Sequence, residues 1–333
     1  PSDAEDYLDI YGRSFPNPKY GWTWCAVDDR FQSTSESDHY FHYYQQDFCL
    51  FRAPISEPTR VLDLKAAFGS WADAVAAAYE SVDVLGIDNA PVQYATEANC
   101  RFELDDINNE WNRQWESFDL IYGHKLLGNV NDWPRLIREA FDCLAAEGFL
   151  NLRERPFRYS SRGGAIDSWE WFSQQAEELG GLVGCPFGIT PGMYKGYMKD
   201  AGFLDIYETW ETVPVTECLD TVLDEIECVL FRKWHREGVN RAEANMRIMV
   251  LRSQLESEAS EVYSQCVTIW GRKPSAGEST VSVRRDPENS KRQQDRVSGA
   301  SKRGHDEISI NIDSYNRAIE KLGFENAKRL RQG

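Results

Sequence analysis

The sequence has 333 residues, of which 41% are apolar, and a formal net charge of −17. This is enough apolar material for a substantial core, so we expect one principal domain with appendages. The part from Pro274 onward carries 12 Lys and Arg against 9 Asp and Glu, which leaves a strongly acidic body that repels phosphate backbones and excludes direct nucleic-acid binding by the folded part.

The chain opens with an aromatic-rich segment, residues 1–56, in which 37–51 is predicted to be helical and to cap the domain. Pro54 and Pro58 then interrupt the chain. From residue 59 onward, short apolar runs alternate with helical stretches, which is typical of βαβ units and a parallel sheet. The predicted strands are 60–64, 81–87, 101–104, 118–122 and 148–152, and the predicted helices between them are 70–79 and 133–144.

Helices dominate the chain after residue 155, as insertions into the α/β domain. The predicted helices are 166–179, 190–201, 220–235 and 241–260, and the predicted strands are 201–206 and 263–271. The α/β domain therefore covers residues 57–273. We expect a seven-stranded, mainly parallel sheet with helices on both faces and an antiparallel last strand.

The tail has a different composition. Residues 274–307 contain almost no large apolar side chains and are predicted to form a disordered linker. Residues 308–333 are predicted to contain an amphipathic helix, because Tyr315, Ala318 and Ile319 follow helical spacing.

Cysteine spacing and hydropathy indicate the cellular compartment to which the protein belongs. The eight cysteines form no CxxC pair, so we expect neither a zinc site nor a disulfide framework. No apolar run reaches the roughly 20 residues that span a bilayer, and no signal-peptide pattern is visible. We therefore expect a protein without membrane association, in the cytoplasm or the nucleus.

Eight motifs stand in an order that resembles the LaeA-like fungal methyltransferases, which use S-adenosylmethionine (SAM). The resemblance implies the class I, Rossmann-like methyltransferase fold, with SAM as the cofactor. The motifs are Gly12-Arg-Ser-Phe15, Val61-Leu-Asp-Leu64, Gly86-Ile-Asp88, Phe102-Glu-Leu-Asp-Asp106, Phe118-Asp-Leu-Ile121, Asp132-Trp-Pro-Arg-Leu136, Ala201-Gly-Phe203 and Trp270-Gly-Arg-Lys-Pro274.

Four acidic residues are expected at the cofactor crevice, because ligands of open parallel sheets bind at the carboxyl ends of strands. They are Asp63, Asp88, Asp105 and Asp106. The resemblance implies that Asp88 accepts hydrogen bonds from the ribose and that the other two lie near the adenine. Each of the last three is also explained as a turn residue.

The cofactor loop departs from the family pattern. Where the family has Gly-Thr-Gly-Thr-Gly, this chain has Lys65-Ala-Ala-Phe-Gly69, so only Gly69 remains of three glycines. The side chain of Lys65 is expected to enter the space of the methionyl group, where it also competes with the positive charge of SAM. Phe68 either fills that space or folds away. SAM binding is therefore predicted to be weakened or lost.

His124 is the candidate catalytic residue, since it follows the fourth strand of the domain; a structural role is the alternative. The candidate substrate-pocket residues are Tyr20, Trp22, His39 and His42, and ordinary core packing is the alternative for the aromatic ones. The two pocket histidines lie three apart and lack a visible third ligand, so no metal site is predicted.

Two functions remain open. The first is a small-molecule enzyme of fungal secondary metabolism, with residual methyl transfer or repurposed chemistry such as a cyclisation. The second is a catalytically silent partner or regulatory subunit, as the velvet-associated members of the family suggest. A homodimer or heterodimer fits either function, and the tail fits the second one better.

Overall fold

The computed structural model describes residues 6–93, 95–111, 116–163 and 166–278. The strands are β1 (Tyr7–Ile10), β2 (Arg13–Pro16), β3 (Arg60–Leu64), β4 (Asp83–Asp88), β5 (Cys100–Leu104), β6 (Phe118–His124), β7 (Leu144–Glu154), β8 (Tyr159–Ser161), β9 (Leu204–Pro214) and β10 (Val262–Arg272). The helices are α1 (Asp29–Gln45), α2 (Ser70–Ala78), α3 (Trp133–Cys143), α4 (Asp167–Val183), α5 (Met193–Ala201), α6 (Leu219–Arg236) and α7 (Arg241–Glu258).

The central sheet has the order β5-β4-β3-β6-β7-β10, with β9 on the far side of β10. Strands β3 to β7 pair in parallel, and β10 is antiparallel to both β7 and β9. These seven strands confirm the predicted mainly parallel sheet with an antiparallel last strand. The short β8 is an addition. Pro156 lacks the N–H that would continue β7, and pairing with β10 resumes at Tyr159.

Helices cover both faces of the sheet, as predicted. Successive strand residues point to opposite faces, so Val61 of β3 packs in the core under α2 while Leu62 packs in the core under α3 and α5. A third core joins the hairpin β1–β2 to α4, α6 and α7. The helices predicted after residue 155 therefore extend the domain and carry its N-terminal cap.

A buried ion network fastens the cap to α6. The guanidinium of Arg13 on β2 contacts Asp28 at 2.7 Å, Asp224 at 2.8 Å and Glu227 at 3.1 Å. Its side chain is 6% exposed. Because a buried arginine with three carboxylate partners fixes the elements that carry them, the cap is part of the folded body.

The helix predicted over residues 37–51 is misplaced, because α1 begins at Asp29 and ends at Gln45. The Asp28 side chain caps it by accepting from the amide of Phe31, so the polar residues after Asp29 are helical. At the other end, Asp47 and Phe48 adopt positive φ angles of 52° and 62°, which terminate the helix.

The predicted linker from residue 279 onward and the predicted amphipathic helix lie outside the described residues. In the described part of the chain, no helix combines the length and apolar character needed to cross a membrane.

Candidate functional site

A cavity lies where the sheet reverses its strand order, at the carboxyl ends of β3, β4 and β6. Its other walls come from α1 and from the segment 23–27 of the cap. This is the position at which open α/β sheets bind ligands. Five residues predicted for the site line this cavity: Asp63, Lys65, Asp88, His39, His42; so does the catalytic candidate His124.

The loop after β3 has positive φ angles at all three glycine positions of the family pattern, although two of the three glycines are replaced. The φ angle is +63° at Lys65, +51° at Ala67 and +89° at Gly69, the three positions at which the family pattern has glycine. A side chain in this left-handed region costs about 1–2 kcal/mol relative to glycine. Other contacts must therefore stabilise the loop.

Asp88 supplies those contacts. Its Oδ1 accepts from the Lys65 ammonium at 3.0 Å and from the amide of Ala90 at 2.9 Å, while its Oδ2 accepts from the amide of Ala67 at 2.9 Å. Lys65 also donates to Oδ1 of Asn89 at 2.6 Å. Both oxygens of the carboxylate that the resemblance assigns to ribose thus already accept hydrogen bonds from the protein.

Lys65 therefore reaches the carboxyl end of β4, whereas the sequence placed its side chain in the methionyl space. The second acid of the crevice, Asp63, is buried, and burial, followed by the negative charge of Asp88, raises its pKa well above the usual range. The structure therefore pairs Lys65 with Asp88, at 3.0 Å, and leaves Asp63 without a cation. Oδ2 of Asp63 has no hydrogen-bond partner in the described protein.

Phe68 does not fold away from the site. It is half-buried, lines the cavity and packs against the core of the cap. Its ring therefore reduces the space available to a ligand beside the loop.

Gly69, Asp105 and Asp106 do not line the cavity. Gly69 begins α2, and a Cβ atom there would lie 2.5 Å from Cζ of Phe102. Asp105 donates its amide to the carbonyl of Asp88, and Oδ1 of Asp106 accepts from the amide of Asn108. The Asp106 contact is the kind that a turn residue makes, whereas the Asp105 amide extends the pairing of β5 with β4.

Tyr20 and Trp22 also lie outside the cavity lining, which corrects their assignment to a substrate pocket. Tyr20 hydrogen-bonds to Asp6. Trp22 donates its indole N–H to the carbonyl of Gly128 at 2.8 Å, and the Arg232 guanidinium lies 4.5 Å from its ring. Both aromatic residues hold the cap in place, because each finds its polar partner in the folded body or the hairpin.

His124 lies at the end of β6 with both ring nitrogens in contact with acceptors. Nδ1 is 3.0 Å from the carbonyl of Arg153, and Nε2 is 3.0 Å from Oδ2 of Asp38. Burial, the largest cause, lowers its pKa. A base must present a free nitrogen, so catalysis by His124 would require one of these contacts to open.

Asp38 is the centre of a charge network that sequence reasoning missed. Its Oδ2 lies 2.9 Å from the Lys125 ammonium, which also contacts Glu225 at 2.6 Å. Glu225 in turn binds Arg155 at 2.6 Å. Despite burial, Lys125 and the neighbouring histidines hold the pKa of Asp38 well below its usual range. The spacing of Asp38 and His42, four apart on α1, was the available signal.

His39 and His42 occupy different positions on α1. His42 is buried, and its Nδ1 accepts from Nε of Arg153 at 3.1 Å. His39 is half-buried at the cavity wall, and burial lowers its pKa to about 4. Both imidazoles are therefore neutral at physiological pH.

Within the part of the chain that the structure describes, Asp38, His42 and His124 are the group that could hold a metal ion, with ligand atoms within 4.8 Å of one another. Other side chains of the protein already pair with the ligand atoms of this group. Lys125 occupies the carboxylate, and the Nδ1 lone pair of His42 is taken by Arg153, which leaves its hydrogen on Nε2. A metal ion would have to displace a lysine and change a tautomer.

The loop after β6 is held by Glu154 of β7. Its two oxygens accept from the amides of Leu126 and Leu127 at 2.9 and 3.2 Å. Burial raises the pKa of this carboxyl to about 8. Trp24 binds the same loop from the cap, because its indole donates to the carbonyl of Leu127.

Residues 37–207 match the protein-family profile described as "Methyltransferase domain". The chain belongs to this methyltransferase family. Its curated relatives include "Methyltransferase pytC" of Aspergillus terreus, 28% identical over 222 residues, which covers 64% of this chain and 67% of that protein. "Secondary metabolism regulator laeA" of Aspergillus flavus is 29% identical over 272 residues, covering 79% and 69%. The methyltransferase is thus LaeA-like, as its motifs predicted.

Among solved structures, this chain is similar to a methyltransferase. A phosphoethanolamine N-methyltransferase from Haemonchus contortus in complex with S-adenosyl-L-methionine is 16% identical, with a TM-score of 0.47. The match covers 78% of this chain and 62% of that chain.

Proposed function

We propose that this chain is a small-molecule-binding protein of fungal secondary metabolism whose methyltransferase-fold site binds SAM weakly or not at all. One observation carries the proposal: the Lys65 ammonium lies 3.0 Å from Oδ1 of Asp88. The Lys65 and Asp88 side chains are 7% and 3% exposed. To hydrogen-bond Asp88, a ribose would have to displace a buried cation.

Burial of the Lys65–Asp88 pair sets the free-energy cost of displacing Lys65. Breaking a buried ion pair typically costs about 3–5 kcal/mol, because a charge is left uncompensated in a poorly solvated place. Two ribose hydroxyls return hydrogen bonds of about 1.5–3 kcal/mol each when they meet a charged group. Lys65 itself would then lie unpaired beside a cationic sulfonium. These two terms are of similar size, so the repulsion between the unpaired Lys65 ammonium and the sulfonium cation decides against SAM.

Calorimetric titration of the wild-type chain with SAM and with its demethylated product tests the proposal. We expect no saturable heat at ligand concentrations up to roughly 100 μM, which corresponds to a binding free energy weaker than about −5.5 kcal/mol. Binding of SAM at low micromolar affinity would refute the proposal. The product lacks the sulfonium charge, so comparing the two ligands separates electrostatic exclusion from steric exclusion.

The relatives named as secondary metabolism regulators favour a second candidate, a catalytically silent regulatory subunit acting in the cytoplasm or nucleus. Pull-down of the full chain from a fungal extract, with and without residues 279–333, tests it. A regulatory subunit retains a stoichiometric partner only when the tail is present. The enclosed cavity has no role in this candidate, which is why we place it second.

A further inference from the structure

One face of α1 forms a polar edge of the cavity. Asp38 and His42 of α1 and Gln46, the residue that caps its C-terminal end, are spaced four residues apart, so they lie on the same side of the helix, and all three line the cavity. Their exposures are 1%, 4% and 2%. We call this set the α1 edge.

Each residue of the α1 edge has a polar atom without a hydrogen-bond partner in the described protein. The atoms are Oδ1 of Asp38, Nε2 of His42 and Oε1 of Gln46. Leaving a buried polar atom unpaired costs about 1–3 kcal/mol. Oδ1 of Asp38 still lies 3.7 Å from the Arg155 guanidinium, and Nε2 of His42 lies 3.4 Å from Oδ2 of Asp38. Because the residues that carry the three atoms all line one cavity, a ligand in that cavity is the group that would complete their hydrogen bonds.

His42 supplies a hydrogen-bond donor. A guanidinium can only donate, so the contact from Nε of Arg153 to Nδ1 at 3.1 Å fixes the ring hydrogen on Nε2. That N–H lies 3.4 Å from Oδ2 of Asp38, but not in hydrogen-bonding geometry. A carbonyl oxygen of a ligand is the complementary group.

Gln46 supplies an acceptor one turn further along α1. Its Oε1 is buried and unpartnered, and a ligand hydroxyl is the group that completes it. One helical turn separates the two positions by roughly 6 Å along the axis. The two ligand oxygens therefore belong on opposite ends of a ring.

The charges around the cavity indicate a neutral ligand. Among the described lining residues, Lys65 is paired with Asp88 and Lys125 with Asp38. The remaining wall includes the Trp71 and Tyr122 rings, stacked with centroids 3.8 Å apart. An ionic ligand would find no unpaired countercharge here, whereas an apolar ring finds a matching surface.

We propose that the α1 edge recognises an uncharged, ring-containing small molecule that carries a carbonyl and a hydroxyl group, with His42 donating to the carbonyl and Gln46 accepting from the hydroxyl. The inference deepens the proposed function and rests on it. The inference concerns substrate-binding residues that the cap contributes. The proposed function, by contrast, concerns the cofactor site around Lys65.

The test uses para-hydroxyacetophenone as the probe, with binding followed by ligand-detected NMR titration of the full chain. Acetophenone lacks the hydroxyl, phenol lacks the carbonyl, and para-hydroxybenzoate replaces the ketone with a charge. We expect the complete probe to bind wild type about 3- to 10-fold more tightly than acetophenone or phenol, as a net hydrogen bond of about 1 kcal/mol implies. The charged analogue should bind most weakly.

The variant Gln46→Leu should remove the advantage of the hydroxyl, so that para-hydroxyacetophenone and acetophenone bind equally. The matched control is Gln45→Leu on the same helix, because Gln45 contacts Glu217 at the surface and does not line the cavity. It should leave both affinities unchanged.

Three outcomes overturn the inference: no probe binding to wild type, equal binding of the charged analogue, or equal effects of the two glutamine substitutions. If Gln46→Leu fails to fold, the relative affinities of the four ligands for the wild-type protein still test the inference. The SAM titration is independent. Tight SAM binding refutes the proposed function, whereas absence of both SAM and probe binding refutes only the α1 edge.

Discussion

The Lys65 ammonium and Oδ1 of Asp88 lie 3.0 Å apart across the loop that joins β3 to α2. If this pair blocks the nucleoside half of the cofactor site, restoring the glycine pattern should open it. We predict that Lys65→Gly with Ala67→Gly and Phe68→Thr raises SAM affinity at least about 10-fold, or 1.4 kcal/mol, by calorimetry.

The control for this prediction adds Asp88→Asn to the triple variant. An amide is a poorer acceptor for ribose hydroxyls, so the gain should disappear. A crystal structure of wild type with SAM in the usual pose beside Lys65 would contradict the prediction, whatever the affinities of the variants.

The Arg13 network gives a stability prediction. Arg13→Ala leaves Asp28, Asp224 and Glu227 without their shared buried cation, and we expect a loss of about 3–5 kcal/mol in urea denaturation. Arg30→Ala is the matched control, because Arg30 contacts two of the same carboxylates but is 44% exposed. It should cost about 1 kcal/mol or less. Equal losses of unfolding free energy for the two variants would show that burial of the arginine does not determine its contribution to stability.

Glu154 gives a pH prediction. Its folded-state pKa is about 8, above the ordinary value of 4.5. The folded protein therefore holds this proton over a range in which the unfolded chain has released it, so this contribution to stability is full below about pH 4.5 and declines as pH rises towards 8. Glu154→Gln keeps the neutral form and should flatten the decline by up to about 1.4 kcal/mol per pH unit.

Denaturant titrations between pH 5 and 8 measure that slope. Glu177→Gln, an exposed change, serves as the control and should leave the wild-type slope intact. A slope that is identical in wild type and Glu154→Gln would mean that the carboxyl is ionised throughout the range.

Substitutions at two glycines with similar φ angles distinguish backbone strain from a steric clash. Gly69 and Gly192 have φ angles of +89° and +83°, but a Cβ atom meets Phe102 at 2.5 Å only in the first case; at Gly192 it meets nothing within 4 Å. Thermal denaturation should show a loss of about 1 kcal/mol for Gly192→Ala, from strain alone, and about 2–4 kcal/mol for Gly69→Ala. Similar losses would indicate that the Phe102 ring moves aside freely.

Periodicity and motif order were enough to predict the sheet, because strand and helix periods leave a direct trace in the sequence. The N-terminal segment was harder. Helix α1 has a polar first half and little amphipathic pattern, so its true start depended on the single cap Asp28. The hairpin β1–β2, four residues per strand, is too short to show alternation.

The residues of the candidate site likewise fall into those that the sequence identifies and those that it does not. Asp63, Lys65 and Asp88 were identified because each stands at a fixed place in a motif. Asp38 and Gln46 were not, because their importance depends on which face of α1 meets the sheet, and that is decided by packing across nearly the whole chain. The partner of Lys65 could not be chosen from the sequence either, since Asp63 and Asp88 both lie near the loop and only the folded geometry shows which carboxylate the ammonium reaches.

The left-handed backbone at Lys65 and Ala67 has a consequence for engineering. Glycine at either position needs no change of φ, and the strain it relieves, about 1–2 kcal/mol, roughly offsets the chain entropy that glycine adds to the unfolded state. The route from this loop to a glycine-rich loop therefore consists of single steps, each of which leaves the backbone in place. At Lys65 the glycine also removes the buried partner of Asp88, so a library that varies these positions selects at the same time for a cofactor that pairs with this carboxylate.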